Sequence, residues 1–207
     1  IYEKILLFDD ENYNVMLRLG EINNVLGDYT KAEAIYDEII NCTIPTMAMY
    51  YQLALTFGNQ GKYMSSILSF HEAMKLAPND FEIKYQLGVA YKEMGIYDKS
   101  AHYFEEYIFQ FSEDAIAFFL LGTCYLEMDD YTAALLVFQR SNILMPNDHR
   151  ILFNIGRCYA GLKEDSDAAR KFREALKISP EEPDIYYALG QSYYKLNKKK
   201  KMKEILD

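Results

Sequence analysis

The sequence contains no tryptophan and, in 207 residues, only five prolines, ten glycines, three cysteines and three histidines. Each scarcity excludes something. Prolines and glycines this few and this widely spaced point to long helices joined by short connections. Cys42, Cys124 and Cys158 are odd in number and lack the paired spacing of zinc ligands, so neither a disulfide framework nor a structural metal is indicated. All three read as core thiols. His71, His102 and His149 stand at offsets that do not gather them on one helical face, which leaves them without a metal or catalytic role. No apolar run reaches membrane-spanning length, and no signal-peptide or lipidation pattern occurs.

What is present is apolar and acidic. Half the residues are hydrophobic, enough for a substantial core, and nineteen Tyr accompany twelve Phe. The formal charge of −9 conceals a local reversal: between Lys195 and Asp207 six lysines face Glu204 and Asp207, leaving that end at +4 and the remainder near −13. Such a body repels phosphate backbones, so nucleic acid is not an expected partner. The run Lys198 to Lys201 plus Lys203 reads as solvated charge. No nucleophile stands with a base and an orienting acid, and no glycine-rich phosphate loop appears. The expectation is a non-enzyme with no cofactor and no metal.

Self-similarity organises the chain. Gly20, Gly88, Gly122, Gly156 and Gly190 fall on one grid of 34 residues, with Ala54 filling the gap. Each follows an apolar residue (Leu19, Leu53, Leu87, Leu121, Ile155, Leu189) and precedes by three Asn23, Phe57, Tyr91, Tyr125, Tyr159 and Tyr193. A turn signal such as Gly61-Lys62-Tyr63 opens a second helix. There Ala32, Ser66, Ser100, Ala134 and Ala168 stand four residues before Tyr36, Phe70, Phe104, Phe138 and Phe172. Small and large side chains on one helical face let two helices interlock. Pro78, Pro146 and Pro180 then stop three of these second helices.

The Leu-Gly-x-x-Tyr, Ala-x-x-x-Phe and terminal Pro pattern at this period resembles the tetratricopeptide repeat family. Complete repeats are expected at 13–46, 47–80, 81–114, 115–148 and 149–182. Ile1 to Asn12 reads as the tail of a preceding repeat, with Tyr2 in the Phe column, and 183–207 as a partial last one in which Met202 and Leu206 fit poorly. The chain opens on Ile1, not Met, and both ends fall inside a repeat, so it reads as a segment of a longer polypeptide. The resemblance implies an all-α, right-handed superhelical solenoid of antiparallel helix pairs, a single solenoid over 1–207, with first helices lining a concave groove that holds partner peptides. Each pair is completed by its neighbour. Departures occur at Asn23, at Ile44 and Ser112 in place of Pro, and at Tyr107, which must spread its helix pair or turn outward.

On the face of the first helices not used for packing, one column reads Leu17, Tyr51, Tyr85, Phe119, Phe153 and Tyr187. One turn later stand Glu21, Leu55, Val89, Thr123, Arg157 and Gln191, and one turn earlier Asn14, Ala48, Glu82, Ile116, Arg150 and Asp184. Two readings stay open. Either the aromatic ladder grips apolar side chains of a partner peptide, with Arg150 and Arg157 reading an acidic group, or its rings pack between neighbouring first helices. The Lys and Asn clamp with which some family members hold acidic chaperone tails is absent, its sites carrying Tyr85 with Val89, Phe119 with Thr123 and Phe153 with Arg157. The asparagine ladder of protein O-glycosyltransferases is absent too, its sites being Gln52, Gln86, Leu120, Asn154 and Ala188.

The function expected is a scaffold that binds a protein partner, a peptide or helix with apolar side chains and an acidic group, within a larger assembly and in the cytoplasm. Two alternatives stand beside it: the recognition arm of a larger enzyme or regulator, and a self-associating homo-oligomer. The aromatic mid-chain, from Tyr103 through Phe109 and Phe111 to Phe119, suggests a second contact surface.

Overall fold

A computed structural model describes residues 12–198, and every described element is an α-helix. The helices are α1 (Tyr13–Val25), α2 (Tyr29–Cys42), α3 (Met47–Asn59), α4 (Tyr63–Leu76), α5 (Phe81–Glu93), α6 (Tyr97–Gln110), α7 (Ala115–Glu127), α8 (Tyr131–Leu144), α9 (His149–Gly161), α10 (Asp165–Ile178) and α11 (Pro183–Lys195). Lengths of 13 and 14 residues alternate along the chain. Tyr2, Met202, Leu206 and the lysines beyond Lys198 lie outside the described residues.

Local chemistry sets these limits. Asn12, Asp28, Thr46, Asp80, Asp114, Asp130 and Asp148 each accept a backbone N–H at a helix start. First helices end in a left-handed residue one position past the cap, at Gly27, Gly61, Gly95, Asp129, Lys163 and Asn197. The amide that follows returns to the last turn, as Asp28 N does to Asn23 O at 2.9 Å and Glu164 N to Tyr159 O at 2.8 Å. The second helices α2 and α6 stop in the same register as α4 although Ile44 and Ser112 replace Pro. Pro45 follows α2 one position later, whereas α6 stops with no proline near it, so proline reinforces this stop without being needed for it.

By its internal contacts the chain divides into two units, residues 1–96 and 97–207. In the N-terminal unit one core cluster joins Met16 of α1, Ala32, Tyr36 and Ile39 of α2, and Met49 and Leu53 of α3. In the C-terminal unit Ala134 and Phe138 of α8 pack with Ile151, Ile155 and Cys158 of α9, while Phe172 of α10 packs with Ile185 and Leu189 of α11. Each cluster takes in the first helix of the next repeat, as a pair too thin to bury its own apolar face requires. The large residue of the second helix is the hub: Tyr36, Phe70, Phe104, Phe138 and Phe172 are all within 2 % of full burial. A Cβ added at Gly122 would lie 2.7 Å from the Phe138 ring, and one at Gly156 2.4 Å from that of Phe172. Glycine recurs there because the ring occupies the space.

One expectation needs correction. Cys42 is exposed, whereas Cys124 and Cys158 are buried as core thiols. Cys42 is the last residue of α2 and shares its column with exposed Leu76, Gln110 and Ile178. Tyr107 is half-buried: its ring lies 4.8 Å from that of Phe111, and its hydroxyl donates to Asp114 Oδ2 at 3.2 Å.

Candidate functional site

The aromatic column of the first helices is half packing and half surface. Tyr51 meets Phe70 edge-on at 5.6 Å, Phe119 meets Phe138 at 5.8 Å and Phe153 meets Phe172 at 5.6 Å. Each ring thus leans on the buried ring of its own repeat, and each remains half-buried. Tyr85 is half-buried as well, while Tyr187 is 71 % exposed. The column therefore packs within a repeat and still presents ring surface on the first-helix face. The Tyr51 hydroxyl donates to Glu82 Oε1 at 3.3 Å, and burial followed by the Glu82 charge raises its pKa well above the ordinary phenol value.

The two arginines differ in placement. Arg150 is held by its own helix cap, Nη2 lying 2.6 Å from Asp148 Oδ2, and its guanidinium stands 5.8 Å over the Phe119 ring. That guanidinium keeps the Asp148 carboxyl below the usual carboxylate range. Arg157 pairs loosely with Glu127 at 3.5 Å and lines a cleft instead. Leu55, Val89 and Thr123 are half-buried on the same face of their helices.

Two clefts emerge that the column reading did not single out. In the N-terminal unit a cleft of about 230 Å³ opens between α3, α4 and α5, with Leu55, Gly58, Tyr63, Phe70, Gln86 and Val89 among its walls. In the C-terminal unit one of about 320 Å³ is lined by Arg157, Ala160, Phe172, Gln191, Ser192 and Lys195, with Asp129 and Tyr131 at one side. They occupy equivalent places in the repeat, three periods apart. The signal was present in the sequence: four residues after the glycine column stand Asn24, Gly58, Lys92, Leu126, Ala160 and Tyr194. Gly58 and Ala160 are its small members, whereas Leu126 is 4 % exposed and fills that place with its own side chain.

Other polar groups are engaged one by one. His71 shares a hydrogen bond with the Tyr91 hydroxyl at 3.1 Å, His102 stands 3.5 Å from Glu106, and His149 stands 3.7 Å from Glu182. Among the described residues no group of three or more His, Cys, Asp or Glu is placed to hold a metal ion. No described helix is long and apolar enough to cross a membrane.

A stack of near-identical helix pairs whose cores are shared from one repeat to the next defines a helical-repeat protein. The chain belongs to the tetratricopeptide repeat family, a family of protein-interaction scaffolds: tetratricopeptide repeat models match residues 14–41, 48–80, 85–142 and 159–197, together most of its length. Among curated proteins none matches the sequence significantly. Among solved structures, YrrB, described as a TPR protein with an unusual peptide-binding site, superposes with a TM-score of 0.81 at 18 % identity over 91 % of this chain and 97 % of its own. The C-terminal part of a TPR repeat-containing protein from Cytophaga hutchinsonii gives 0.80 at 17 % identity, over 99 % and 84 % of the two chains. MamA from Desulfovibrio magneticus RS-1 gives 0.78 at 18 % identity, over 84 % and 98 %. At these identities the likeness is one of fold.

Proposed function

We propose that the first-helix faces bind a partner polypeptide, through Tyr51, Leu55, Tyr85 and Val89 in the N-terminal unit and through Phe119, Thr123, Arg150, Phe153, Arg157 and Tyr187 in the C-terminal unit. The observation that carries this reading is the half-buried aromatic column. Rings braced from beneath by Phe70, Phe138 and Phe172 lose little conformational freedom on binding while offering large apolar area. The exposed guanidinium of Arg157 stands ready for an acidic group of the partner. The test is a quantitative pull-down with the folded chain against chains carrying Tyr85→Ala and Phe119→Ala. Loss of a partner's affinity by about tenfold or more is expected if these rings are anchors. Unchanged affinity in a chain of unaltered helicity removes the proposal.

A second reading, self-association, is favoured by apolar side chains on the second helices of the C-terminal unit. Phe109 of α6 is 89 % exposed, and Leu136 and Ile143 of α8 are 64 % and 69 % exposed. Sedimentation across a concentration series tests it, a constant monomer mass being the result that rejects it.

A further inference from the structure

The cleft at Gly58 has a feature that the ladder reading does not use. A Cβ built on Gly58 would touch only the Ser66 hydroxyl, at 3.4 Å, so the space above this residue is open to a side chain although none of the protein's own fills it. Its walls are Leu55 and Val89 from two successive first helices, with Phe70 beneath. At about 230 Å³ it exceeds the roughly 150 Å³ that holds a benzene ring in a protein interior. At its Gln86 wall the charge is negative. Gln86 of the cleft wall donates to Glu82 Oε1 at 2.9 Å, the Tyr51 hydroxyl donates to the same oxygen, and among the described residues no cation is paired with Glu82. At the other end Glu93 shares its charge with Lys92 at 2.5 Å.

We propose that this cleft is the anchor for one bulky apolar side chain, a phenyl ring or a leucine, of a partner peptide that carries a lysine or arginine next to it. The proposal rests on the reading of the first-helix faces as the partner surface, and it adds the class of peptide selected. The apolar side chain displaces water from between Leu55, Val89 and Phe70, and the neighbouring cation meets Glu82 at a site where an acidic residue is repelled.

The experiment follows backbone amide shifts of the 207-residue chain by NMR, with three probes: N-acetyl-phenylalanyl-lysine amide, N-acetyl-alanyl-lysine amide and N-acetyl-phenylalanyl-glutamate amide. The first is expected to move the amides of Leu55, Gly58 and Val89 saturably, and the second to leave them unmoved. The third should bind at least about threefold more weakly, the size of an exposed charge effect. Gly58→Leu should abolish the response with unchanged helicity, because Leu126 already occupies the equivalent position. Should that variant fail to fold, Leu55→Arg serves in its place, since the equivalent position carries Arg157; it should weaken the lysine probe and favour the glutamate one. A wild-type response from both variants, or no saturable shift at Gly58, overturns the proposal. Shifts confined to Tyr51, Tyr85 and Phe119 would overturn the anchor and keep the aromatic face, whereas silence along every first helix would count against both.

Discussion

The two units use one set of columns to make two kinds of cleft. In the N-terminal unit Leu55, Val89 and Glu93 stand where the C-terminal unit has Arg157, Gln191 and Lys195, and the floor is a phenylalanine in both. A repeat architecture thus separates its two tasks residue by residue. Columns facing the neighbouring helix, such as Phe70 and Phe172, hold constant because both sides of the packing depend on them. Columns at the cleft edge, such as Leu55 and Arg157, change charge and size while the buried ring beneath stays a phenylalanine. The C-terminal cleft is also internally compensated: Lys195 lies 3.5 Å from Asp165 and Arg157 3.5 Å from Glu127, and the Tyr131 hydroxyl donates to Asp129 at 2.5 Å. In the N-terminal cleft no cation among the described residues is paired with Glu82.

The units also differ beneath the surface, and the larger expected effect lies there. In the N-terminal unit Ala54 occupies the glycine column, fully buried, and Tyr51 meets Phe70 at an interplanar angle of 66°. In the C-terminal unit Gly156 abuts Phe172, which meets Phe153 at 47°. Gly156→Ala places a methyl within 2.4 Å of the Phe172 ring, which is 1 % exposed, so the ring must shift from its packed position. Overpacking of about 1–3 kcal/mol outweighs the roughly 1 kcal/mol of helix propensity gained by losing a glycine. Urea unfolding should show a lower midpoint at unchanged slope. The reciprocal Ala54→Gly loses about 1 kcal/mol of helix propensity together with the burial of one methyl group. A stabilised Gly156→Ala variant would break the comparison, by showing that Phe172 yields as readily as Phe70.

How far the fold was legible follows from which columns constrain both partners of a contact. The glycine, tyrosine and phenylalanine columns place every described helix, since each marks a point where two backbones approach and only certain volumes fit. Cys42 was misread because a thiol alone does not say which face it is on; its column-mate Gln110 does. The fate of Tyr107 depended on Asp114 and Phe111 being within reach, which no single-helix pattern contains. The aromatic ladder was visible as a column, but its double role, braced beneath and exposed above, required the ring distances. Gly58 and Ala160 stood in plain view in the sequence. That a missing side chain there opens a cleft depends on how far apart three helices stand.

The smallest predicted effect concerns how first helices end. The N-terminal unit places glycine at all three left-handed positions, Gly27, Gly61 and Gly95 at φ between 72° and 78°. The C-terminal unit places Asp129, Lys163 and Asn197 at φ 59°, 64° and 55°. Asp129 has a local reward in its hydrogen bond from the Tyr131 hydroxyl, and asparagine tolerates this conformation. Lys163 is exposed and β-carbon strain at its position has no such offset, although the backbone bonds of the cap, Lys163 N to Ala160 O at 3.2 Å and Glu164 N to Tyr159 O, are made as elsewhere. A side chain in the left-handed region costs about 1–2 kcal/mol, and glycine returns part of that gain through the greater freedom of the unfolded chain. Lys163→Gly is therefore expected to stabilise by about 0.5–1 kcal/mol, read as a higher urea midpoint. Asp129→Gly, the internal control, must give less, because it surrenders the tyrosine contact. Equal gains at the two positions would show that the tyrosine contact contributes nothing and that the units differ here in backbone strain alone.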